Sequence, residues 1–391
     1  MKILHITPNF ESKLGGVPKV VFEMTKSLNQ KGIDIVIFSS ANKADKERTF
    51  FTPNIPTHIC QRGFLSRFWT AYSSDAIRIL RREIKNCDLV HIHEVWHYLH
   101  YAGYRIAKEF RKPYGVSIHG ELSSWCLGYK GFRKKIYSQL LQKKILKEAF
   151  FLQAIITEEA KDILSYSGNK NIFIIPNGIE VSDNDLSGAN NSIAEFPDLK
   201  NKKVILFLGR LDPKKGLDLL AKAWGQIAKN REDLALVIAG PDAGSYKKKI
   251  MHIFEKEGVM NKVIFLGMVE SQKKAQLFKR TDMVVIPSYS EVRTLVALEA
   301  MAYSKPVIIT DKCHFSEIGD LNAGLVIKLE VKSLVEAINK LLMNPKLGEE
   351  MGHNGKKLVL NKYTWDRVSD QIIHMYNSVL SKDTENLCQH A

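Results

Sequence analysis

The chain has 391 residues, of which 45% are hydrophobic, and its 57 Lys and Arg outnumber its 42 Asp and Glu to give a formal net charge of +15. This length and apolar content predict two domains of ordinary size, each with its own core. The charge is concentrated in residues 1–180, which hold 27 basic and 16 acidic side chains, so the sequence favours an anionic ligand or an anionic membrane surface. Nucleic acid is not expected as a partner, because no zinc-finger, RNP or mixed basic and aromatic pattern is present.

The cysteines and the N-terminus indicate where the protein resides. The five cysteines are scattered and form no C-x-x-C pair, which favours a reducing compartment and argues against a structural zinc site. The opening run MKILHITP predicts a buried strand rather than a signal peptide. No apolar run approaches the roughly 18–20 residues that a membrane-spanning helix needs. We therefore expect a cytoplasmic protein.

The first half of the chain alternates strand and helix patterns, which predicts a parallel sheet with helices on both faces. The predicted strands are residues 2–7, 33–39, 87–93, 112–120, 152–157 and 171–176, and the predicted helices are residues 17–29, 68–85 and 131–150. The glycine pair that ends at Gly16 follows the first strand. It does not form the G-x-G-x-x-G pattern, so by itself it indicates a tight turn.

Histidines collect near the ends of two predicted strands. Four of them lie within ten residues, namely His91, His93, His97 and His100. A metal site is one interpretation, but the only acid or cysteine at ligand spacing is Glu94, which is predicted on the other strand face. We prefer histidines that line a cleft and hydrogen-bond hydroxyl groups. His119 ends the next strand, at the edge where open parallel sheets bind ligands. A capping or turn histidine is the alternative there.

Residues 131–150 form the most basic predicted helix. Seven cations from Lys130 to Lys147 follow one another with no acid between them. Ile136, Leu140 and Ile145 recur at helical spacing, so one face is predicted to pack against the domain. The cations fit an anionic bilayer, where each contributes about 1 kcal/mol. They fit a solvated basic face equally well.

The second half restarts the pattern after a polar stretch, residues 181–200, whose turn-forming composition predicts a linker. The predicted strands are residues 204–208, 234–239, 263–269, 283–286, 307–310 and 324–327, and the predicted helices are residues 217–227, 294–303, 334–342, 347–360 and 366–380. Arg210 and Lys215 lie five apart in the loop after the first of these strands. From there both can reach one diphosphate, Arg as a two-pronged donor and Lys as a point charge.

Residues 287–307 carry the most informative pattern. Glu291 and Glu299 stand eight residues apart where a strand gives way to a helix. Such a junction points free backbone N–H groups and the positive end of a helix dipole at the loop, which suits a phosphate. Carboxylates beside an anion site are poor phosphate ligands but good acceptors for hydroxyl groups. The pattern therefore indicates a nucleotide-sugar.

Residues 291–307 resemble the E-x7-E signature of the retaining glycosyltransferases of family 4. That family has the GT-B fold, an α/β architecture in which two Rossmann-like, doubly wound domains face each other across a cleft. The segments 176–179 (PNGI) and 209–216 (GRLDPKKG) also match it. The resemblance covers nearly all of the chain and is most specific over residues 204–310. It fails at Val292-Arg293-Thr294, where the family has a small or aromatic pair and then Gly or Ser.

The resemblance implies a domain plan and an activity. Residues 1–180 would form the acceptor-side domain, with helix 366–380 packed back on it, and residues 201–364 the nucleotide-sugar domain. The activity would be metal-independent, cofactor-free transfer of a hexose to a glycan or lipid-linked acceptor, in polysaccharide or cell-surface glycan biosynthesis. Peripheral attachment to the inner face of the membrane is the expectation if the cations of the basic helix 131–150, and not only solvent, meet anionic lipid.

The resemblance also assigns roles to individual residues. The catalytic set would be Glu291, His119, Arg210 and Lys215. The donor-binding set would be Gly16, Arg210, Lys215, Met268, Glu291, Thr294, Leu295 and Glu299.

The departure at residues 292–294 keeps two other functions open. One is a binding or scaffold protein that has the fold without the catalysis, and the other is a nucleotide-sugar epimerase of the same fold. An oxidoreductase is not expected, because the glycines of the first half lack the dinucleotide pattern. The sequence specifies neither the base and sugar of the donor, nor the acceptor, the linkage or the oligomeric state.

Overall fold

The structure, a computed structural model, describes residues 1–11, 16–42, 54–123, 141–181, 196–242, 244–269 and 271–389. The chain divides into two compact units, one of residues 1–178 with 365–391 and one of residues 179–364. Each unit is built on one parallel β-sheet.

The first unit contains a seven-stranded sheet in the order β3-β2-β1-β4-β5-β6-β7. The strands are β1 (Lys2–Ile6), β2 (Asp34–Ala41), β3 (Thr57–Gln61), β4 (Leu89–His93), β5 (Tyr114–Ser117), β6 (Phe151–Ala154) and β7 (Ile172–Ile174). The helices in chain order are α1 (Gly16–Gln30), α2 (Ala76–Lys85), α3 (Tyr98–Glu109), α4 (Lys143–Lys147) and α5 (Thr157–Ser167). Leu4 and Ile6 join the apolar core on one face of the sheet, so His5 between them points to the other face.

The second unit contains a six-stranded sheet in the order β10-β9-β8-β11-β12-β13. The strands are β8 (Lys203–Leu208), β9 (Leu234–Ala239), β10 (Val263–Gly267), β11 (Met283–Ile286), β12 (Val307–Thr310) and β13 (Gly324–Ile327). The helices are α6 (Leu217–Ala228), α7 (Tyr246–Lys256), α8 (Ser271–Arg280), α9 (Leu295–Ala302), α10 (Glu317–Asp320), α11 (Val331–Met343) and α12 (Pro345–Lys362). Val204 and Leu206 face one core cluster, while Ile205 and Phe207 face another. Both sheet faces are therefore buried, which explains the unbroken apolar strands.

The last helix, α13 (Trp365–Gln389), returns to the first unit. The indole N–H of Trp365 donates to Glu23 on α1 at 2.6 Å, and Lys31 pairs with Asp370 at 2.5 Å. Tyr376 is fully buried and its ring lies 6.1 Å from that of Phe151. The helix thus covers the sheet face to which His5 points.

Several predicted elements differ from the observed ones. The helix predicted at 68–85 was wrong over its first eight residues, because Ala71 adopts a φ of +64° and α2 begins only at Ala76. Of the basic helix 131–150, residues 131–140 lie outside the described residues, and the α-helix observed beyond them is α4. Residues 182–195 of the predicted linker also lie outside. Phe196 and Leu199 at its end are buried in the second unit.

No helix among the described residues is both long enough and apolar enough to cross a membrane.

Candidate active site

The carboxyl ends of β8 and β11 define the candidate site of the second unit. These strands are neighbours, but the chain continues from β8 toward β9 and from β11 toward β12. Loops 209–216 and 287–294 therefore leave the sheet side by side and then diverge. Such a switch point is where open parallel sheets bind ligands. Arg210, Lys215 and Glu291 all lie in these two loops.

Close backbone contacts fix the two loops against each other. Gly216 has a φ of +71°, and a Cβ there would lie 1.9 Å from the carbonyl oxygen of Pro287. Only glycine fits this position. The N–H of Tyr289 donates to the carbonyl of Lys214 at 2.9 Å. Lys215 is thereby held next to the loop that carries Glu291.

Lys215 and Glu291 are in direct contact. The Lys215 ammonium group donates to Oε1 of Glu291, and the Ser288 hydroxyl donates to the same oxygen at 3.1 Å. The Glu291 N–H donates to the carbonyl of Lys312 at 3.0 Å, which fixes the loop backbone. A phosphate group that binds Lys215 competes with a carboxylate already in place, while Oε2 of Glu291 accepts no hydrogen bond from the described residues.

Helix α9 begins directly after this loop. Thr294 is its N-cap residue, with extended backbone (φ −83°, ψ 119°), and its buried side chain makes no capping hydrogen bond. The N–H groups of the first turn, starting at Leu295, are not satisfied by that hydroxyl and carry the positive end of the helix dipole. This helix start therefore suits an anion.

Glu299, on the second turn of α9, has a cation of its own. Its Oε1 accepts from the Lys274 ammonium group at 2.6 Å. Lys274 lies on α8, the helix that follows β10. Sequence reasoning missed Lys274, because no spacing rule links it to an acid 25 residues away. Each glutamate of the E-x7-E signature is thus paired with a lysine from a different element.

Arg210 and Met268 lie just beyond the carboxyl ends of β8 and β10, two strands that β9 separates in the sheet. Arg210 is exposed and forms no hydrogen bond or ion pair within the described part of the chain, so its guanidinium N–H groups can all serve a ligand. Met268 follows Gly267 at the end of β10, where Gly267 has a φ of +68°. Its side chain is exposed despite being apolar.

Arg293, which departs from the family pattern, is turned toward the core. Its guanidinium lies 4.4 Å from the ring centre of Phe315 and donates to the Tyr363 hydroxyl at 2.8 Å. Tyr363 in turn donates to Glu317 at 2.5 Å. Arg293 therefore connects the end of the loop that carries Glu291 to α10 and to the end of α12. Its guanidinium group already interacts with this network.

In the first unit, two strand ends carry residues with unusual backbone. Glu94 follows β4 with a φ of +64°, and His119 follows β5 with a φ of +55°. Such conformations are unfavourable for residues with a Cβ, and they cluster at functional sites. Gly16 is exposed at the start of α1, and a Cβ there would meet nothing within 4 Å. Its neighbours 12–15 lie outside the described residues.

His119, which is half-buried, ends a chain of three imidazoles in which His93 and His5 are fully buried. His119 Nε2 lies 3.1 Å from His93 Nδ1, and His93 Nε2 lies 3.0 Å from His5 Nδ1. The far nitrogen of His5 is buried without a partner. Burial lowers the pKa of His119 to about 4 and that of His5 to about 3. The three rings are therefore neutral at physiological pH.

His91 belongs to a second chain of hydrogen bonds on the same sheet face. Its Nδ1 lies 2.6 Å from the Tyr376 hydroxyl, and its Nε2 lies 2.6 Å from the Ser117 hydroxyl. Ser117 donates to Gln153 at 2.6 Å, so it must accept from His91. Tyr376 therefore donates to His91. This chain ties α13 to β4, β5 and β6.

His5, His91 and His93 are also close enough to suggest a metal site, since one nitrogen from each lies within 4.8 Å of the others. The hydrogen bonds described above already use both nitrogens of His91 and of His93. Metal binding would have to break several of them. We therefore interpret the cluster as a hydrogen-bonded core that supports His119, and a metal-free site stays a prediction.

Two buried carboxyl groups, those of Glu159 and Glu94, lie near the ends of β5 and β4, and sequence reasoning gave neither a role in the site. Glu159 on α5 accepts from the N–H groups of Gly120 at 2.5 Å and Ile155 at 2.6 Å, which holds the turn after His119. Burial raises the pKa of Glu159 to about 7. Burial, reinforced by nearby Glu121, raises the pKa of Glu94 to about 8, and its Oε2 is buried without a partner. Only the tertiary fold reveals these groups, although the position of Glu94 directly after a parallel strand was a usable signal.

Two family profiles and several relatives match this chain. The profile for "Glycosyltransferase Family 4" matches residues 14–183, and that for "Glycosyl transferases group 1" matches residues 190–358. An uncharacterized glycosyltransferase of Methanocaldococcus jannaschii is 30% identical over 300 residues, which are 74% of this chain and 75% of that protein. The O-antigen chain mannosyltransferase C of Escherichia coli is 22% identical over 390 residues, with 97% of this chain and 99% of that one covered.

A solved structure, Anabaena HepE in complex with UDP and glucose, has the same fold. Its TM-score is 0.76 at 18% identity, and the match covers 97% of this chain and 100% of that one. The two parallel sheets with their intervening helices, together with this similarity, show the GT-B fold. The chain belongs to the group 1 glycosyltransferases of family 4. The expected fold and family are thereby confirmed.

Proposed function

We propose that this glycosyltransferase transfers a hexose from a nucleotide-sugar to a glycan or lipid-linked acceptor, with retention of configuration and without a metal ion. The observation that carries the proposal is the convergence of Arg210, Lys215, Glu291 and the start of α9 on one switch point. Two cations and a helix N-terminus supply the positive charge that a diphosphate needs.

The proposed reaction breaks the bond between the sugar and the β-phosphate. Arg210, Lys215 and the N–H groups at the start of α9 stabilise the negative charge left on that phosphate. Glu291 accepts a hydrogen bond from a hydroxyl of the donor sugar and stabilises the positive charge that develops at the anomeric carbon. The acceptor hydroxyl attacks from the face that the phosphate leaves, and the phosphate takes its proton.

Other residues would position the donor. Glu299, which pairs with Lys274 at 2.6 Å, accepts hydrogen bonds from the ribose hydroxyls. The exposed segment at Met268 lies against the base. His119 contacts the donor sugar. Gly16 has no side chain, so the donor can approach the backbone there. HepE was solved with UDP and glucose, which supports a nucleotide-sugar donor. The similarity to an O-antigen mannosyltransferase supports a role in polysaccharide or cell-surface glycan synthesis.

The proposed location is the cytoplasm, with peripheral attachment to the inner face of the membrane. The net charge of +15 supports attraction to anionic lipid. In the described part of the basic segment, Lys143, Lys144 and Lys147 are exposed. Residues 131–140, where the remaining cations of the predicted helix lie, are outside the described residues.

Nucleotide release from a panel of nucleotide-sugars tests the activity. Release that requires an added acceptor supports the transferase. Interconversion of sugars without an acceptor would instead mean an epimerase, and silence with every donor and acceptor would mean a binding protein.

A binding experiment tests the anion site separately. Arg210→Ala should weaken the affinity for the nucleoside diphosphate of the active donor by at least about tenfold, which is the range of one charge-assisted contact. Lys222→Ala removes an exposed cation from α6 and serves as the matched control. Calorimetry that shows equal affinity for Arg210→Ala and the control would contradict the role of Arg210.

A further inference from the structure

The loop that follows β3 carries an exposed apolar tip. The side chains of Phe64, Leu65 and Phe68 are 70%, 48% and 66% exposed, although all three are large and hydrophobic. They lie on or directly after a short 3-10 helix, Phe64–Arg67. Single exposed apolar residues are common, whereas three on one turn indicate an interaction surface. We call these three residues the aromatic tip.

The base of this loop is firmly held. The N–H of Gly63 donates to the carbonyl of Tyr72 at 3.0 Å and closes the loop. Below it, the Trp69 ring lies 5.2 Å from that of Tyr98, and the Tyr72 ring lies 4.7 Å from the same partner. The tip is therefore presented by a packed support, and its exposure is a feature of an ordered loop.

Positive charge accompanies the tip. The Arg67 guanidinium lies 3.6 Å from the ring centre of Phe64 and 4.9 Å from that of Phe68. Residues 62–85 contain six Lys and Arg but only two Asp and Glu. Arg81 and Arg82 pair with Glu109 and Glu83, whereas Arg67 contacts the tip itself. Apolar side chains that project beside arginines match the boundary between lipid headgroups and acyl chains.

We propose that the aromatic tip inserts into the surface of an anionic bilayer. A sugar-stacking platform fits less well, because Arg67 covers one face of Phe64 and because Leu65 offers no ring. The proposal deepens the membrane attachment within the proposed function, and it locates that attachment at residues distinct from the basic segment 131–150. Insertion of the tip would hold the first unit at the surface where a lipid-linked acceptor resides.

Vesicle flotation with the full chain tests this surface. Wild-type protein should float with phosphatidylglycerol vesicles and remain largely unbound with phosphatidylcholine vesicles. Phe64→Ser/Phe68→Ser should weaken binding to the anionic vesicles at least about tenfold, because two aromatic side chains lose their apolar burial. Met343→Ser, which alters a residue 79% exposed in the second unit, is the matched control and should bind like wild type.

Three results would overturn the proposal. The wild type could fail to bind anionic vesicles, the double variant could bind them as tightly as Met343→Ser, or the variant could keep vesicle binding while losing turnover of a soluble acceptor. The last result would instead assign the tip to glycan binding. Nucleotide release with a soluble acceptor is measured for the double variant as well. Loss of a membrane anchor leaves this release intact, so failure of the membrane proposal can be distinguished from failure of the proposed transferase activity.

Discussion

His93 Nδ1 lies 3.1 Å from His119 Nε2, so the hydrogen bond between them determines which nitrogen of His119 carries the proton. Each of the two contacts in the His119–His93–His5 chain needs one proton. If His93 donates to His119, the buried Nε2 of His5 is left as a bare lone pair; if the direction is reversed, it is left as an N–H without an acceptor. Buried N–H groups without partners are the rarer case.

We therefore expect His119 to carry its proton on Nδ1, the nitrogen that no described residue contacts. Nitrogen-15 NMR of the imidazole rings distinguishes the two tautomers, and the exposed His374 provides an internal reference. In His93→Ala the Nδ1–H form of His119 should lose its dominance. A wild-type spectrum with the proton on Nε2 of His119 would contradict the hydrogen-bond direction that we assign.

Glu291→Gln should separate catalysis from phosphate binding. The amide keeps the shape and still accepts from Ser288, but it no longer neutralises Lys215. We expect turnover to fall about 100-fold, as for other lost transition-state charges, while affinity for the nucleoside diphosphate stays equal or rises. Glu330→Gln, at an exposed site, is the control. Unchanged turnover together with weakened diphosphate binding would argue against this role for Glu291.

Gly216→Ala should destabilise the protein more than Gly258→Ala. Both glycines have a left-handed φ, +71° and +73°, but only at Gly216 would a Cβ clash, 1.9 Å from the Pro287 oxygen. The shared backbone term is about 1 kcal/mol, and the clash adds to it at Gly216 alone. Chemical denaturation gives the free energies of unfolding. Equal losses would show that the two loops do not approach as closely as described.

Mild acid should destabilise the first unit through its buried histidines. Burial lowers the pKa of His5 and His97 to about 3 and that of His100 and His119 to about 4. Below pH 6.5 these histidines become protonated in the unfolded chain but not in the folded chain. Their contribution to the free energy of unfolding is therefore present above that pH and is lost as the pH falls. Each such group contributes a slope of about 1.4 kcal/mol per pH unit.

His100→Asn tests one member of this set. Its amide can replace the Nδ1–H donor to the Val95 carbonyl, a bond of 2.7 Å, but it does not titrate. Between pH 7 and pH 5 the unfolding of the variant should therefore take up about one proton fewer, so its free energy of unfolding should fall less than that of the wild type. An identical pH slope in the variant and the wild type would exclude His100 as a contributor.

Glu94→Gln should act at the opposite end of the pH range. The pKa of Glu94 is raised to about 8 in the folded protein, so its contribution to stability is present below pH 4.5 and is lost as the pH rises through 8. The amide cannot ionise, and the variant should gain stability relative to wild type at pH 8.5 but not at pH 5. Melting temperatures at the two pH values provide the comparison. A difference between variant and wild type that does not depend on pH would mean that Glu94 does not titrate in this range.

Local patterns predicted much of the second unit. The strand predicted at 283–286 is β11, and the helix predicted at 294–303 is observed as Leu295–Ala302. Both are short, strongly apolar and adjacent in sequence, so propensity and burial agree. The helix predicted at 68–85 is observed only from Ala76, because the aromatic residues at 69 and 72 pack on Tyr98 instead. Tertiary contacts there outweigh helical periodicity.

The sequence by itself determined the two α/β halves and the family, because alternating apolar patterns and glycine-bearing loop motifs are local features. Only the tertiary structure decided that Lys215 faces Glu291, that Lys274 holds Glu299, and that Arg293 turns to Tyr363. The tertiary structure also placed His5 beside His93, 88 positions along the chain. Strand order and register set the pairing of His5 with His93, and the packing of helices and loops on the sheet sets the others; none can be read from the spacing of residues within one element.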